Sequence, residues 1–381
     1  MKSPKAIKIL TWTSIGIVLV ATLSWFGLGR ISGAISRVSV FDNLKNRPTK
    51  ASNAVNYLVV GSDTREGLTP AELKLLRVGS TKSAAGARSD TMMLVHISKS
   101  RDRAVIISIP RDTLVVVPAH VGLDGKTQVA ETHAKINAAF AWGGAKLLLQ
   151  TLETKTNLRI DHYVEVNFAG FKNVVDALGG IQVCTKKDIN DPGSHLVLPA
   201  GIHTLNGIDA LKYVRTRDFD GMGDLGRMQR QQQFVSAVFR KATSSGVLLN
   251  PFKLKNLISA VFKTVKTDET LGQGDIITLA KQIRNLTPGK MRTLTVPLSN
   301  SNGSYPGLGS VVIWDETLAP ELFNRLRNDQ PIVDEVTPTP SAAKTANKTA
   351  NKSNGTASAS PTVIDKFKTR TASENPCGAL K

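Results

Sequence analysis

Arginines and aspartates recur at two places in the chain. The first group is Asp63, Arg88, Asp90, Arg111 and Asp112; the second is Arg215, Arg217, Asp224, Arg227 and Gln231. These residue types together suit phosphoryl chemistry. Carboxylates hold Mg2+, a hard cation that prefers oxygen ligands, while guanidinium forks donate bidentately to phosphate oxygens and offset their charge. In the second group Arg215 and Arg217 are two residues apart and would face the same way on an extended segment. On a helix beginning near Asp224, Arg227 and Gln231 fall at i+3 and i+7 and share its face, with Arg230 at the edge. Such spacing on a lone helix ordinarily marks a solvated face. Arg215, Arg217, Arg227 and Arg230, gathered beside Gly221 and Gly223, favour an anion site.

Other chemistries lack their residues. Gly221-Met222-Gly223-Asp224-Leu225-Gly226 fits G-x-G-x-x-G, but Asp218-Phe219-Asp220 precedes it where a dinucleotide site needs an apolar strand. What remains is a glycine-rich turn into a helix start, whose N–H groups can help hold a phosphate. The histidines, His96, His120, His133, His162, His195 and His203, show no zinc-ligand spacing. Neither a phosphate-binding P-loop nor a convincing nucleophilic serine motif occurs.

The elements that must position these residues are short strands mixed with helices. Tyr57–Val60, Met92–Ile97 and Ala104–Ile109 read as buried strands, the last two joined by the polar turn Ser98–Arg103. Helical patterns cover 135–155, 168–178, 206–213 and 224–242, with weaker ones at 252–266 and 271–285, and a strand is expected over Ile160–Val166. This is an α/β chain, expected to form a layered sandwich in which helices flank a mixed central sheet. In the antiparallel hairpin the start of the second strand lies beside the end of the third. Arg88 and Asp90 therefore meet Arg111 and Asp112 at one end of the sheet, and Asp63 joins them if the first strand is antiparallel to its neighbour. A solvated rim of weak ion pairs would have the same pattern.

The formal charge of +19 resembles that of a nucleic-acid binder until it is divided. Residues 1–53 carry +7, residues 336–381 carry +5, and the 54–335 stretch between them only +7. Bulk charge does not imply a nucleic-acid partner. Ile9–Gly29 is free of charge and about 30 Å long as a helix, the thickness of a bilayer core. Lys2, Lys5 and Lys8 favour an amino terminus inside the cytoplasmic membrane, although Arg30 and Arg37 weaken the asymmetry. A cleaved signal is the alternative, and either exports the remainder. The expected order is a basic segment (1–8), one transmembrane helix (9–29), a polar stalk (30–53), an extracytoplasmic catalytic domain (54–335) and a low-complexity, largely disordered tail (336–381). Cys377 in that tail either pairs with Cys184 or both stay unpaired.

Six motifs in order resemble one family. Val59-Val60-Gly61-Ser62-Asp63-Thr64-Arg65, Arg88-Ser89-Asp90-Thr91-Met92, Ser108-Ile109-Pro110-Arg111-Asp112-Thr113 and Val175-Asp176-Ala177-Leu178-Gly179-Gly180 look like the LytR-CpsA-Psr (LCP) family. So do Arg215-Thr216-Arg217 and Gly223-Asp224-Leu225-Gly226-Arg227-Met228-Gln229-Arg230-Gln231. The resemblance spans roughly residues 54–245 and includes the single upstream anchor. It implies a Mg2+-dependent phosphotransferase that moves a glycopolymer from a polyprenyl-pyrophosphate carrier onto a peptidoglycan acceptor, outside the cytoplasmic membrane. Carried over by position, it implies Asp63 and Asp90 as Mg2+ ligands. Arg88, Arg111, Arg215, Arg217, Arg227 and Gln231 would bind the pyrophosphate, with Arg88, Arg111, Asp224 and Arg227 catalytic. Asp224 would orient an arginine or take the acceptor proton. It further implies an apolar pocket for the polyprenyl chain. Candidate walls are Phe140, Leu147, Leu148, Val164, Phe168, Phe171, Val174 and Val175, whose spacing equally suits core packing. The segment Leu68–Ala87 is long enough for a flap over the site.

Three other functions fit parts of this pattern. A pyrophosphatase on the same lipid would use the same residues, with water replacing the sugar hydroxyl. A non-enzymatic polyanion-binding regulator would not need Asp63 and Asp90 beside its arginines. A structural wall anchor would tolerate loss of Arg227. The glycopolymer and the acceptor sugar are not specified by the sequence.

Overall fold

The structure, a computed structural model, describes residues 36–79, 89–122, 124–244, 265–283, 286–336, 362–374 and 377. The chain begins with β1 (Ser36–Val38), β2 (Val55–Ser62), α1 (Pro70–Leu76), β3 (Ser89–Ile97), β4 (Ala104–Ile109) and β5 (Leu114–Val117). Two short strands, β6 (His120–Val121) and β7 (Gln128–Val129), precede β8 (Thr132–Lys135), α2 (Ile136–Thr156), β9 (His162–Val166) and α3 (Phe168–Ala177). Next come β10 (Ile181–Thr185), β11 (Ile189–Asp191), β12 (Leu196–Leu198), β13 (Gly201–Leu205), α4 (Gly207–Tyr213) and α5 (Gly223–Ser244). The remainder is β14 (Val265–Asp268), α6 (Gln273–Gln282), β15 (Met291–Thr295), β16 (Leu298–Tyr305), β17 (Gly309–Trp314), α7 (Leu318–Arg327), β18 (Asp334–Val336), β19 (Thr362–Ile364) and β20 (Arg370–Thr371).

The central sheet is mixed, in the order β1-β14-β9-β2-β3-β4-β15-β20. β2 is antiparallel to β3, and β3 to β4, while β9 runs parallel to β2 and β15 parallel to β4. The carboxyl ends of β2, β4, β9 and β15 therefore share one end of the sheet with the start of β3. Every side chain of β4 is buried, as a central strand covered on both faces requires. Alternation then sorts the neighbours. Leu58, Val60, Leu94 and Ile107 pack on Leu148 of α2 and Leu322 of α7. Val59, Met93, Val95 and Ile106 face the other way, with Val235 and Phe239 of α5. Each fully buried Leu or Val contributes roughly 1.5–3 kcal/mol, so the two faces fix the three-layer order. A separate apolar cluster joins α3, α4 and the β10–β13 and β11–β12 hairpins through Leu178, Leu205, Leu211 and Phe234.

Several expectations need correction. The stalk does not stand apart: β1 pairs with β14, Val40 is wholly buried, and Arg47 holds Glu153 at 2.7 Å. Val38, Val40 and Phe41 supply apolar surface that the core takes up. The far tail also returns. β19 pairs with β18, β20 pairs with the edge of β15, and Phe367 and Ala372 are buried. Cys184 and Cys377 form a disulfide with Cα atoms 6.0 Å apart. The expected helix over 252–266 falls largely outside the described residues, and its end, from Val265, is β14. α2 is broken by non-helical Gly143 and Gly144. The proposed membrane segment at 9–29 and Arg88 lie outside the described residues. Among the described residues no helix is long and apolar enough to cross a membrane.

Candidate active site

Charged residues gather where the parallel strands end. Gly61 pairs with Thr91 and Ser62 with Ser89, so a bulge leaves Asp90 as the extra residue within β3 rather than ahead of it. Asp63 follows Ser62 directly, which brings the backbones of Asp63 and Asp90 to adjacent strand ends. Arg111 follows β4. Its carbonyl accepts from Asn137 N–H at 3.1 Å and that of Thr113 from Ile136 N–H at 2.9 Å, tying the turn to the first residues of α2. Arg111 Nε lies 3.5 Å from Asp112, which also meets Lys135 Nζ at 3.3 Å.

The second group arrives from α4 and α5. After α4 the chain turns rather than extends: Arg215 N–H donates to Lys212 and Thr216 N–H to Tyr213. This overturns the extended reading, and the two arginines diverge. Arg215 lies over the Phe168 ring, 5.4 Å from its centroid, whereas Arg217 reaches Asp224 at 3.6 Å. Gly221 and Gly223 then take positive φ (73° and 51°), which L side chains adopt at a cost, and turn the chain into α5.

Asp224 is the hub. Its Oδ1 lies 2.7 Å from Arg227, 3.6 Å from Arg217 and 3.9 Å from Arg111, groups carried by three separate segments. Arg227 is 3% exposed, so this charge is held in a fixed, largely dry position. Asp112 shares the charge of Arg111, and the amino end of α5 adds partial positive charge to the cluster. Unit charges about 4 Å apart interact by roughly 4 kcal/mol near a protein surface, so a polyanion arriving here gains substantially. Gln231, expected at the pyrophosphate, donates through its amide to Thr91 Oγ1 at 2.9 Å and to the Val214 carbonyl at 3.2 Å, fastening α5 to β3 and to the end of α4. Exchange of one of these bonds would turn an N–H toward a phosphate oxygen.

The apolar candidates divide. Phe140, Leu147 and Leu148 are buried in the core between the sheet and α2. Phe168, Phe171, Val174 and Val175 belong to the α3–α4–α5 cluster, on the side where Phe168 meets Arg215. Val164 pairs with Val59 on the sheet. Among the described residues the other candidates thus divide between two apolar clusters, one under α2 and one around α3.

Sequence reading missed the supports. Buried Asp191 accepts from Arg217 N–H at 2.8 Å, and from Gly193 and Ser194 in its own turn. Asp220 holds Arg230 at 2.5 Å, and Arg230 also donates to the Thr216 carbonyl, so Arg230 braces the loop beneath the hub. The Asp191-Pro192-Gly193 run signals a turn, but nothing local links it to Arg217.

Asp63 and Asp90 suit Mg2+ by donor type, since that ion takes one or two carboxylates and completes its shell with water and phosphate oxygens. Among the described residues, no group of three or more His, Cys, Asp or Glu side chains could hold a metal ion.

A mixed α/β domain with arginines converging on one aspartate at the carboxyl end of its strands is thus defined. Residues 32–327 match the LytR_cpsA_psr family model, and the chain belongs to that family. It is 39% identical over 315 residues to the probable cell wall biosynthesis protein LcpB of Corynebacterium glutamicum, covering 79% of this chain and 71% of that one. It is 32% identical over 258 residues to the polyisoprenyl-teichoic acid–peptidoglycan teichoic acid transferase TagU of Bacillus anthracis, covering 67% and 80%. A solved structure of TagT bound to LI-WTA superposes with a TM-score of 0.56 at 27% identity, covering 77% of this chain and 99% of that one.

Proposed function

We propose that this protein transfers a glycopolymer from a polyprenyl-pyrophosphate carrier to peptidoglycan at the outer face of the cytoplasmic membrane. The observation that carries the reading is the meeting of Arg111, Arg217 and Arg227 at Asp224. The names of TagU and LcpB, a teichoic acid transferase and a cell wall biosynthesis protein, support the same class of reaction.

A sugar hydroxyl of peptidoglycan attacks the glycan-proximal phosphorus, its proton passing to Asp224 or to water, the bond to the bridging oxygen breaks, and polyprenyl phosphate leaves. A phosphodiester then links glycan to peptidoglycan. Arg111, Arg217 and Arg227 bind the pyrophosphate oxygens and stabilise the charge that builds there. Asp224 keeps the three guanidinium groups aimed at one point before substrate arrives. Arg88 and Arg215 are further pyrophosphate contacts, and Phe168, Phe171 and Val174 an apolar wall beside Arg215 for the start of the polyprenyl chain. Mg2+ held by Asp63 and Asp90 would offset charge on the pyrophosphate.

The reading is tested by release of polyprenyl monophosphate from a glycan-loaded polyprenyl pyrophosphate with and without peptidoglycan oligomers, followed by thin-layer chromatography. Release that needs the acceptor and Mg2+ and falls about 10²–10³-fold in Arg227→Ala is expected. Release equal in wild type and Arg227→Ala would refute it.

A further inference from the structure

α5 carries two opposed faces. Asp224, Arg227 and Gln231 lie on one; Gly226, Gln229, Gln233 and Ser236 lie roughly half a turn away. The second face lines a cleft of about 850 Å3, closed on its other sides by β10, the β10–β11 turn, Thr293 of β15 and the returning tail at Arg370–Glu374. This volume is in the range of ligand sites. Of the arginines the sequence singles out for an anion site, Arg230 alone lines it, and Asp220 holds that side chain.

Half-buried Gln229 and Gln233 and exposed Ser373 offer neutral polar groups, and exposed Lys186, Lys187 and Arg370 stand at the rim. Gln232, Thr185 and Ser236 are buried, and Gln232 already donates to Ser108 and Thr295. A polyprenyl chain there would strip water from the open polar and charged groups without replacing their hydrogen bonds. Lys186, Lys187 and Arg370 stand against Glu374 alone, since Asp220 is engaged by Arg230. The rim is therefore mildly basic. Half-buried Phe219 adds ring surface beside Arg230, while Tyr213 is closed off at 1% exposure. Neutral hydrogen-bonding groups, one aromatic ring and a weakly basic rim match an oligosaccharide, neutral or bearing scattered carboxylates or phosphates.

We propose that this cleft binds a glycan chain at sugars remote from the reacting phosphorus. The inference rests on the transferase reading, which supplies two glycan-bearing substrates. The cleft reaches Met222 and Gly226, beside Asp224 and Arg227, at the first turn of α5. A helix with its side chains is about 10–12 Å across, so a chain passing around this turn spans from cleft to hub in a few sugars. Contacts made there act on sugars that do not react, and supply binding that positions the reacting group. The cleft then sets chain-length preference: long glycans bind, disaccharides gain little.

Isothermal titration of the full-length protein with a peptidoglycan octasaccharide, a peptidoglycan disaccharide, a teichoic acid oligomer and an arabinogalactan-derived oligosaccharide tests this. Binding of a long glycan should weaken about tenfold or more in Gln229→Ala/Gln233→Ala, which removes two neutral hydrogen-bonding groups. Gln229→Trp, which fills the cleft from a half-buried position, should abolish it while the thermal midpoint stays near that of wild type. Octasaccharide binding assigns the cleft to the acceptor; binding of either of the other polymers assigns it to the donor. Arg227→Ala should keep glycan binding while losing transfer, so failure of the cleft and failure of the transferase reading are separable. Long-glycan affinity unchanged in both cleft variants, binding of none of the glycans, or preference for a peptidoglycan stem peptide would overturn the proposal.

Discussion

Asp224 faces three guanidinium groups, of which Arg111 also meets Asp112, so removing its charge raises the repulsion among them. We expect Asp224→Asn to destabilise the fold by about 2 kcal/mol, since a partly buried network then loses its anion. Added inorganic pyrophosphate should recover most of that loss by binding the folded state alone, and thermal melts with and without it read both effects. Equal melting of variant and wild type would show that the hub is not electrostatically strained. At this scale the sequence was informative about types and partly silent about roles. Arg111, Arg217, Asp224 and Arg227 could be singled out by residue type as anion-site candidates, although a solvated rim of weak ion pairs has the same pattern. The convergence on one carboxylate was not legible, because its distances arise between segments far apart in the chain. Gln231 looked like a donor to phosphate by helical spacing, and only its neighbours Thr91 and Val214 reveal the fastening.

The elements succeed where their apolar pattern is long and fail where it is short. β2, β3, β4, α3, α4 and α5 stand close to their expected places because burial on one or both faces is written in their composition. The bulge at Asp90 is not, since it depends on which residue of β2 stands opposite. β10–β13 are three to five residues each, too short for periodicity to separate strand from loop. Packing between elements gives two tests. Gly207 opens α4 against α3, and a Cβ there would stand 2.5 Å from the Lys172 carbonyl oxygen. Backbone cannot yield easily, so Gly207→Ala should lower the urea midpoint, by an amount equivalent to about 1–3 kcal/mol. His96 bridges β3 to Asn56 of β2 at 2.8 Å and to Asp329 after α7 at 3.4 Å. Burial lowers its pKa to about 4, against the opposing pull of Asp329. The unfolded chain takes up this proton near pH 6.5 and the folded one only near 4, so between these values the unfolded state binds more protons. Stability from this group is thus full above pH 6.5 and falls on acidification, by up to about 3 kcal/mol at pH 4. His96→Gln should flatten that part of the pH–stability curve, measured by urea unfolding between the two values.

Across the whole molecule, both ends of the domain are drawn back onto the sheet. β1 adds to one edge and β20 to the other, and neither strand is long enough to announce itself. The Cys184–Cys377 bridge joins residues 193 apart and holds the tail beside the cleft behind α5. Closing so long a loop restrains the unfolded chain, and Cys377→Ser should cost about 3–5 kcal/mol in denaturant unfolding under oxidising conditions. Wild type in reductant should match the variant. The central claim, that the Asp224 hub joins a glycan to peptidoglycan through a phosphodiester, is tested most directly by product mass. Full-length protein in detergent would be incubated with a short glycan on polyprenyl pyrophosphate and peptidoglycan oligomers, and the products analysed by mass spectrometry. We expect a glycan–phosphate–peptidoglycan adduct that requires Mg2+ and is lost in Arg227→Ala. Free glycan phosphate in place of that adduct, or intact lipid bound equally with and without metal, would contradict it.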